Sequence, residues 1–109
     1  MKRLKLVSAS AGQAHELLKP NSGYGSIKSL LISNADDTSG ADWNFSLFIQ
    51  TPSVDGKAAE TFYILRHTVL PSGAAILLDD PGVISFDNEK YGLYLSMAAA
   101  TAQLDVTIR

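Results

Sequence analysis

The feature that most constrains the fold of this chain is a repeated alternation of apolar and polar residues. Successive side chains of a β-strand point to opposite faces of the sheet, so this period of two predicts strands with one buried face. The alternation is clearest in residues 43–50, where only Phe48 departs from it, and it recurs in residues 91–97 and 103–108. The side chains expected to face the core are Trp43, Phe45, Leu47, Ile49, Leu93, Leu95, Leu104, Val106 and Ile108.

Four further segments complete the set of predicted strands. Residues 27–32, 61–70 and 74–78 are rich in apolar residues on both faces, which predicts central strands covered on two sides. Residues 4–8 predict a weaker first strand, and turn-forming Gly, Pro, Asn and Asp residues separate the segments. We therefore expect an all-β fold, an antiparallel β-sandwich or jelly-roll-like barrel of about seven to nine short strands.

Two short segments have some helical character. Residues 14–19 could form one helical turn, and residues 97–103 contain three consecutive alanines, which have high helix propensity. Both segments are too short to predict a stable helix.

The size and composition of the chain exclude several classes of protein. Its 109 residues fit one domain, which we place at residues 1–109, and nine basic against eleven acidic side chains give a net charge of −2. Without cysteine there is no disulfide, no thiolate nucleophile and no cysteine-ligated metal. The longest apolar run, five residues at 74–78, is too short to cross a bilayer, so we expect a soluble protein.

Residues that could carry catalysis are sparse. His15 and His67 are the only histidines, and they fall in different predicted elements. No serine lies in a Gly-x-Ser-x-Gly nucleophile elbow. We therefore expect a protein without enzymatic activity, cofactor or metal.

Clustered carboxylates in the predicted loops leave calcium binding open as an alternative. A hard cation takes six to eight oxygen ligands, yet the spacing here matches no EF-hand loop, and Asp is an ordinary turn former. We favour structural turns. The clustered acidic residues are Asp36, Asp37, Asp42, Asp79, Asp80, Asp87 and Glu89.

The first residues have the opposite charge to the rest of the chain. Lys2, Arg3 and Lys5 are basic, whereas the remaining chain has six basic and eleven acidic groups, or −5. Residues 1–8 therefore predict either a basic edge strand that resists aggregation or an arm that contacts an acidic surface. Direct nucleic-acid binding is not expected, because the sequence pI is near 5.5 and no aromatics are interleaved with the basic residues.

A longer pattern in the second half of the chain resembles a known protein family. Residues 62–80 read Phe-Tyr-Ile-Leu-Arg-His-Thr-Val-Leu-Pro-Ser-Gly-Ala-Ala-Ile-Leu-Leu-Asp-Asp, followed by Tyr-Gly-Leu-Tyr-Leu at 91–95 and Leu-Asp-Val-Thr-Ile at 104–108. This resembles the carboxy-terminal half of small all-β virion proteins of tailed bacteriophages, in which a strand enters a Pro-x-Gly turn and an aliphatic strand ends in Asp. Residues 27–48 resemble the first half of the same proteins.

The resemblance implies a structural function. Such proteins decorate or cement capsids, or lie at the head–tail neck as adaptors, and have no active site. It implies the major capsid protein or another virion protein as partner, a homo-oligomer (a trimer for a decoration protein), and a capsid-surface location after synthesis in the host cytoplasm. The alternative is a carbohydrate-binding or receptor-binding sandwich, which would expose Trp or Tyr for stacking on sugars. The expected core position of Trp43 counts against it.

The partner interface is predicted to combine the basic first residues with two polar loops at residues 34–42 and 52–60. The charged residues in these segments are Lys2, Arg3, Lys5, Asp36, Asp37, Asp42, Asp55 and Lys57.

Overall fold

The computed structural model describes residues 2–23, 27–34, 42–53, 56–99 and 102–109. Within these residues eight strands form two antiparallel sheets of four strands each, which confirms the predicted all-β fold. One helical turn interrupts the strands, and no helix in the described residues is long and apolar enough to span a membrane. The elements are β1 (Lys2–Val7), β2 (Ala14–Leu18), β3 (Leu30–Ser33), β4 (Trp43–Gln50), β5 (Thr61–Leu70), β6 (Ala75–Leu78), α1 (Pro81–Ile84), β7 (Gly92–Met97) and β8 (Gln103–Ile108).

The strand order is that of an eight-stranded jelly roll. The first sheet has the order β1-β8-β3-β6 and the second sheet the order β2-β7-β4-β5, so successive strands alternate between sheets except at the β4–β5 hairpin. Jelly rolls are double-sheet sandwiches that bury the facing sides of both sheets against each other. The buried cluster accordingly draws side chains from both sheets.

The core contains the side chains that the alternation predicted. Eight of the nine are buried, among them Phe45, Leu95 and Val106 at no more than 1% exposure, and Ile49 is partly buried against the same cluster. The single tryptophan, Trp43, is 9% exposed and belongs to this cluster, as expected.

The prediction that residues 61–70 and 74–78 form central strands was wrong. β5 and β6 are edge strands, while β3, from the 27–32 segment, is central as predicted. β5 carries apolar residues on both faces because its pairing with β4 shifts register twice, and each extra residue of a bulge interrupts the alternation. On the outer face of β6, the Leu77 side chain is 57% exposed to solvent.

Residues 14–18, in a segment for which the sequence predicted neither a strand nor a stable helix, form β2 along β7. A register shift between Glu16 and Leu18 places both Leu17 and Leu18 in the core at 0% exposure. Two adjacent apolar residues look helical in sequence, and here a bulge accommodates them in a strand. In the 97–103 segment Ala98 and Ala99 form a bend, and positions 100 and 101 lie outside the described residues.

Each end of the sandwich has a buried asparagine whose side chain donates hydrogen bonds to backbone carbonyl oxygens. At one end the Asn34 Nδ2 donates to the Leu70 carbonyl oxygen at 3.0 Å. At the other end the Asn88 Nδ2 donates to the carbonyl oxygens of Lys19 (3.0 Å) and Tyr91 (3.1 Å). We refer to these as the Asn34 end and the Asn88 end.

Candidate interaction surfaces

The basic residues of β1 are divided between its two faces. Arg3 and Lys5 are exposed on the outer face of the first sheet. Lys2 alternates with them and lies on the inner side, where its Nζ donates to the Leu17 carbonyl oxygen of β2 at 3.0 Å. The Lys2 ammonium therefore ties the edges of the two sheets together, and only two of the three early cations are available to a partner.

β1 is an integral edge strand of its own sheet. It pairs with β8 over six residues without a register shift, and Leu6 is 7% exposed within the core. Residues 1–8 were predicted to form either an edge strand or an arm, and residues 2–7 form an edge strand.

The outer face of the first sheet combines cations with exposed aliphatic side chains. Arg3, Thr107, Leu31 and Leu77 form one row in register across all four strands. We call the set Arg3, Lys5, Val7, Leu31, Leu77 and Arg109 the basic aliphatic face.

The aliphatic side chains of this face are exposed to solvent. Val7 is 51% exposed, Leu31 37% and Leu77 57%. A depression of about 220 Å³ lies between Leu31, Leu77 and Arg109. One carboxylate, Asp105, lies opposite Lys5 on β8. The face is thus net basic on a chain whose overall charge is negative.

The charged loop residues predicted for the interface do not lie beside β1 in one patch. Asp42 is at the Asn34 end, where its Oδ1 accepts a hydrogen bond from the Ser72 N–H at 3.4 Å. Lys57 belongs to the segment between β4 and β5, at the Asn88 end. Asp42 and Lys57 therefore lie at opposite ends of the sandwich. Asp36, Asp37 and Asp55 lie outside the described residues.

The two histidines lie on opposite edges of the second sheet. His15 is on β2 and His67 on β5, three strand spacings or roughly 14 Å apart in the order β2-β7-β4-β5. His15 Nε2 lies 3.0 Å from Ser8 Oγ, a Ser–His contact that the sequence spacing did not reveal. Ser8 is 1% exposed, so a substrate cannot reach its hydroxyl. Burial also lowers the pKa of His15 below its ordinary value of 6.5.

His67 has an unusual backbone conformation. Its φ is 51°, in the left-handed region, and its N–H donates to Ser46 Oγ at 3.0 Å. This residue lies in the bulge where β5 has one residue more than β4. The bulge removes the His67 N–H from the hydrogen bonds between β4 and β5, and the Ser46 hydroxyl accepts a hydrogen bond from it instead.

Carboxylates in the β6–β7 segment act as turn formers. Asp80 Oδ1 accepts a hydrogen bond from the Gly82 N–H at 2.9 Å, and Asp87 Oδ1 accepts one from the Glu89 N–H at 3.0 Å. Across the described ranges, no three His, Asp or Glu side chains form a group that could hold a metal ion. Asp80 and Asp87 thus make the backbone contacts expected of turn-forming carboxylates.

The outer face of the second sheet has a row of aromatic side chains that the sequence analysis missed. Phe48 lies between Tyr63 and Tyr94 in register, with ring centroids 5.5 and 5.7 Å away. The Arg66 guanidinium lies 4.7 Å from the centroid of the Tyr63 ring, and Tyr63 is 47% exposed. Phe48 breaks the alternation of β4 because it packs in this outer row, which covers it to 7% exposure.

Tyr94 connects the aromatic row to β2. Its hydroxyl lies 3.4 Å from Glu16 Oε2. Burial, followed by the charge of the Glu16 carboxylate and this hydrogen bond, raises the pKa of Tyr94 above its ordinary value of 10.0.

A scan of the chain against protein-family models and a search of curated proteins both find no match.

Proposed function

We propose that this chain is a non-enzymatic structural protein of a bacteriophage particle, a decoration protein that binds and stabilises the major capsid shell. The observation that carries the proposal is the basic aliphatic face. Exposed apolar side chains rimmed by charge are typical of protein interaction sites. Its cations would attract an acidic shell surface, while Leu31 and Leu77 would be buried on contact.

The architecture is compatible with the same function. Jelly rolls recur in viral capsid proteins, but also in lectins and cupins, so fold alone does not assign a function. The sequence resemblance to small virion proteins of tailed phages favours the first of these groups. By the same resemblance we propose a trimer on the shell.

Locating the chain in purified particles tests this proposal. Quantitative mass spectrometry should find it at a copy number comparable to that of the major capsid protein. A few copies confined to one vertex would instead identify a head–tail neck or tail-adaptor protein. Absence of the chain from purified particles would contradict both forms of the proposal.

The aromatic row on the second sheet favours a second candidate function, carbohydrate or receptor binding. Tyr63 is about half exposed, and aromatic rings at a surface can stack on sugars, although Trp43 is buried in the core. A glycan-array screen of the wild type and the Tyr63→Ala variant tests this function. Binding that depends on Tyr63 would support it, and no binding to any glycan would count against it.

A further inference from the structure

The four edge strands of the sandwich differ in how well they are protected against further strand pairing. β2 contains a register shift, β5 contains two, and β6 has only four residues. Bulges and short length are common ways in which proteins prevent pairing at a sheet edge. β1 has neither, since it is six residues long and pairs with β8 in uninterrupted register.

The register identifies which backbone groups of β1 point away from the sheet. The Ser8 N–H donates to the Ala102 carbonyl oxygen at 3.0 Å, continuing the register in which Leu6 opposes Leu104. Hydrogen-bonded pairs alternate along an antiparallel ladder, so Leu6, Leu4 and Lys2 also direct their backbone groups toward β8. The backbone N–H and C=O groups of Arg3, Lys5 and Val7 therefore point toward the open edge.

The side chains of these three residues define what such an edge can accept. Arg3, Lys5 and Val7 are all exposed, and the first two are cations. Charged side chains on an edge strand repel a strand of like charge and attract one of opposite charge. A second copy of this chain, paired through its own β1, would bring Arg3 and Lys5 close to the same two cations. The charge pattern therefore disfavours self-pairing and favours an acidic partner.

We propose that β1 is a strand-addition site that binds an extended acidic segment of a partner protein as a fifth strand of the first sheet. Main-chain hydrogen bonds to Arg3, Lys5 and Val7 provide affinity, and carboxylates of the segment pair with the two cations. This deepens the proposed function and rests on it only for the identity of the partner, which would be the shell protein.

Proline substitution separates the backbone contribution from the charge contribution. Lys5→Pro removes an outward-pointing N–H and a cation, and proline is tolerated in edge strands where its nitrogen faces solvent. Lys5→Thr is the matched control, because it removes the same cation and keeps the N–H. Val7→Pro is a second variant at another outward position, in case Lys5→Pro does not fold by circular dichroism.

The probe is a synthetic eight-residue peptide in which Asp or Glu alternates with Val or Thr. We expect it to bind the wild type, with amide shifts concentrated at Arg3, Lys5 and Val7 in NMR spectra. Each proline variant should weaken binding about tenfold or more, and Lys5→Thr should weaken it less. A peptide of the same charge, N-methylated at every residue so that neither of its edges has an N–H group, should not bind. Equal binding by the proline variants or by the N-methylated peptide would overturn the proposal.

Two further readouts distinguish this inference from the proposed function. If the proline variants occupy particles at the wild-type level, the shell protein is wrong as the partner of β1, while the decoration function stands. If the wild type binds the peptide but is absent from particles, the decoration function is wrong while strand addition stands. A dimer of the wild type that the proline variants abolish would show that the edge binds a second copy, which would overturn the choice of an acidic partner.

Discussion

Leu95 provides the sharpest test of the packing between the two sheets. It lies on β7, a central strand of the second sheet, and is 0% exposed. Leu95→Ala removes three buried carbon atoms, a transfer cost of about 2.4 kcal/mol at roughly 0.8 kcal/mol per carbon. The cavity that remains adds to this cost, so we expect a loss of about 2.5–5 kcal/mol in the free energy of unfolding.

The matched control is the same substitution at an exposed position. Leu77→Ala removes the same atoms from a side chain that is 57% exposed, so less than half of the transfer cost applies. We expect a loss of about 1 kcal/mol or less.

Urea unfolding followed by tryptophan fluorescence measures both losses. Trp43 is the only tryptophan and lies in the core, which makes it an intrinsic probe of unfolding. The two variants should have the same dependence on urea concentration and different midpoints. If Leu95→Ala costs no more than Leu77→Ala, the assignment of the inner face is wrong.

Three further predictions concern single residues. The free energy of unfolding should fall as pH drops below about 6.5, because the pKa of His15 is lower in the folded state and the unfolded state therefore binds the proton first. In His15→Gln the free energy of unfolding should change less between pH 7.5 and pH 5 than in the wild type. His67→Val should lower the free energy of unfolding in urea by about 1–2 kcal/mol while His67→Gly should not, because a β-branched residue is strained at a φ of 51°. Equal losses in the two variants would refute the strain. Gly92→Ala should lower the free energy of unfolding by about 1–3 kcal/mol in the same measurement, because the alanine Cβ would lie 2.9 Å from the Leu18 carbonyl oxygen. A urea midpoint equal to that of the wild type would show that β2 moves to accommodate the Cβ.

The strands that alternate regularly were predictable from the sequence. β4, β7 and β8 each turn one face to the core, and none of them has the extra residue of a bulge, so a period of two predicts both their existence and their core side chains. Phe48 departs from the alternation of β4, but its packing with Tyr63 and Tyr94 depends on which strands are neighbours. Strand order is a long-range property that local alternation does not contain.

Bulged strands were mispredicted because a bulge changes the period. No strand was predicted for β2, where the adjacent Leu17 and Leu18 break the alternation, and in β5 apolar residues on both faces suggested a central strand. Pairing with β7 and β4 overrides these local preferences. The basic residues of β1 were predicted as an edge strand or an arm, and only the alternation with Leu4 and Leu6 could have indicated that Lys2 points inward.

Charge reversal on the two outer faces tests most directly whether the basic aliphatic face holds the chain on a shell. The variant Arg3→Glu with Lys5→Glu changes that face, and Arg66→Glu changes the opposite face of the sandwich. At low salt, where exposed charges are least screened, particles should carry about tenfold less of the double variant than of the wild type, with Arg66→Glu unchanged. Full occupancy by the double variant, or loss of occupancy only with Arg66→Glu, would contradict the account.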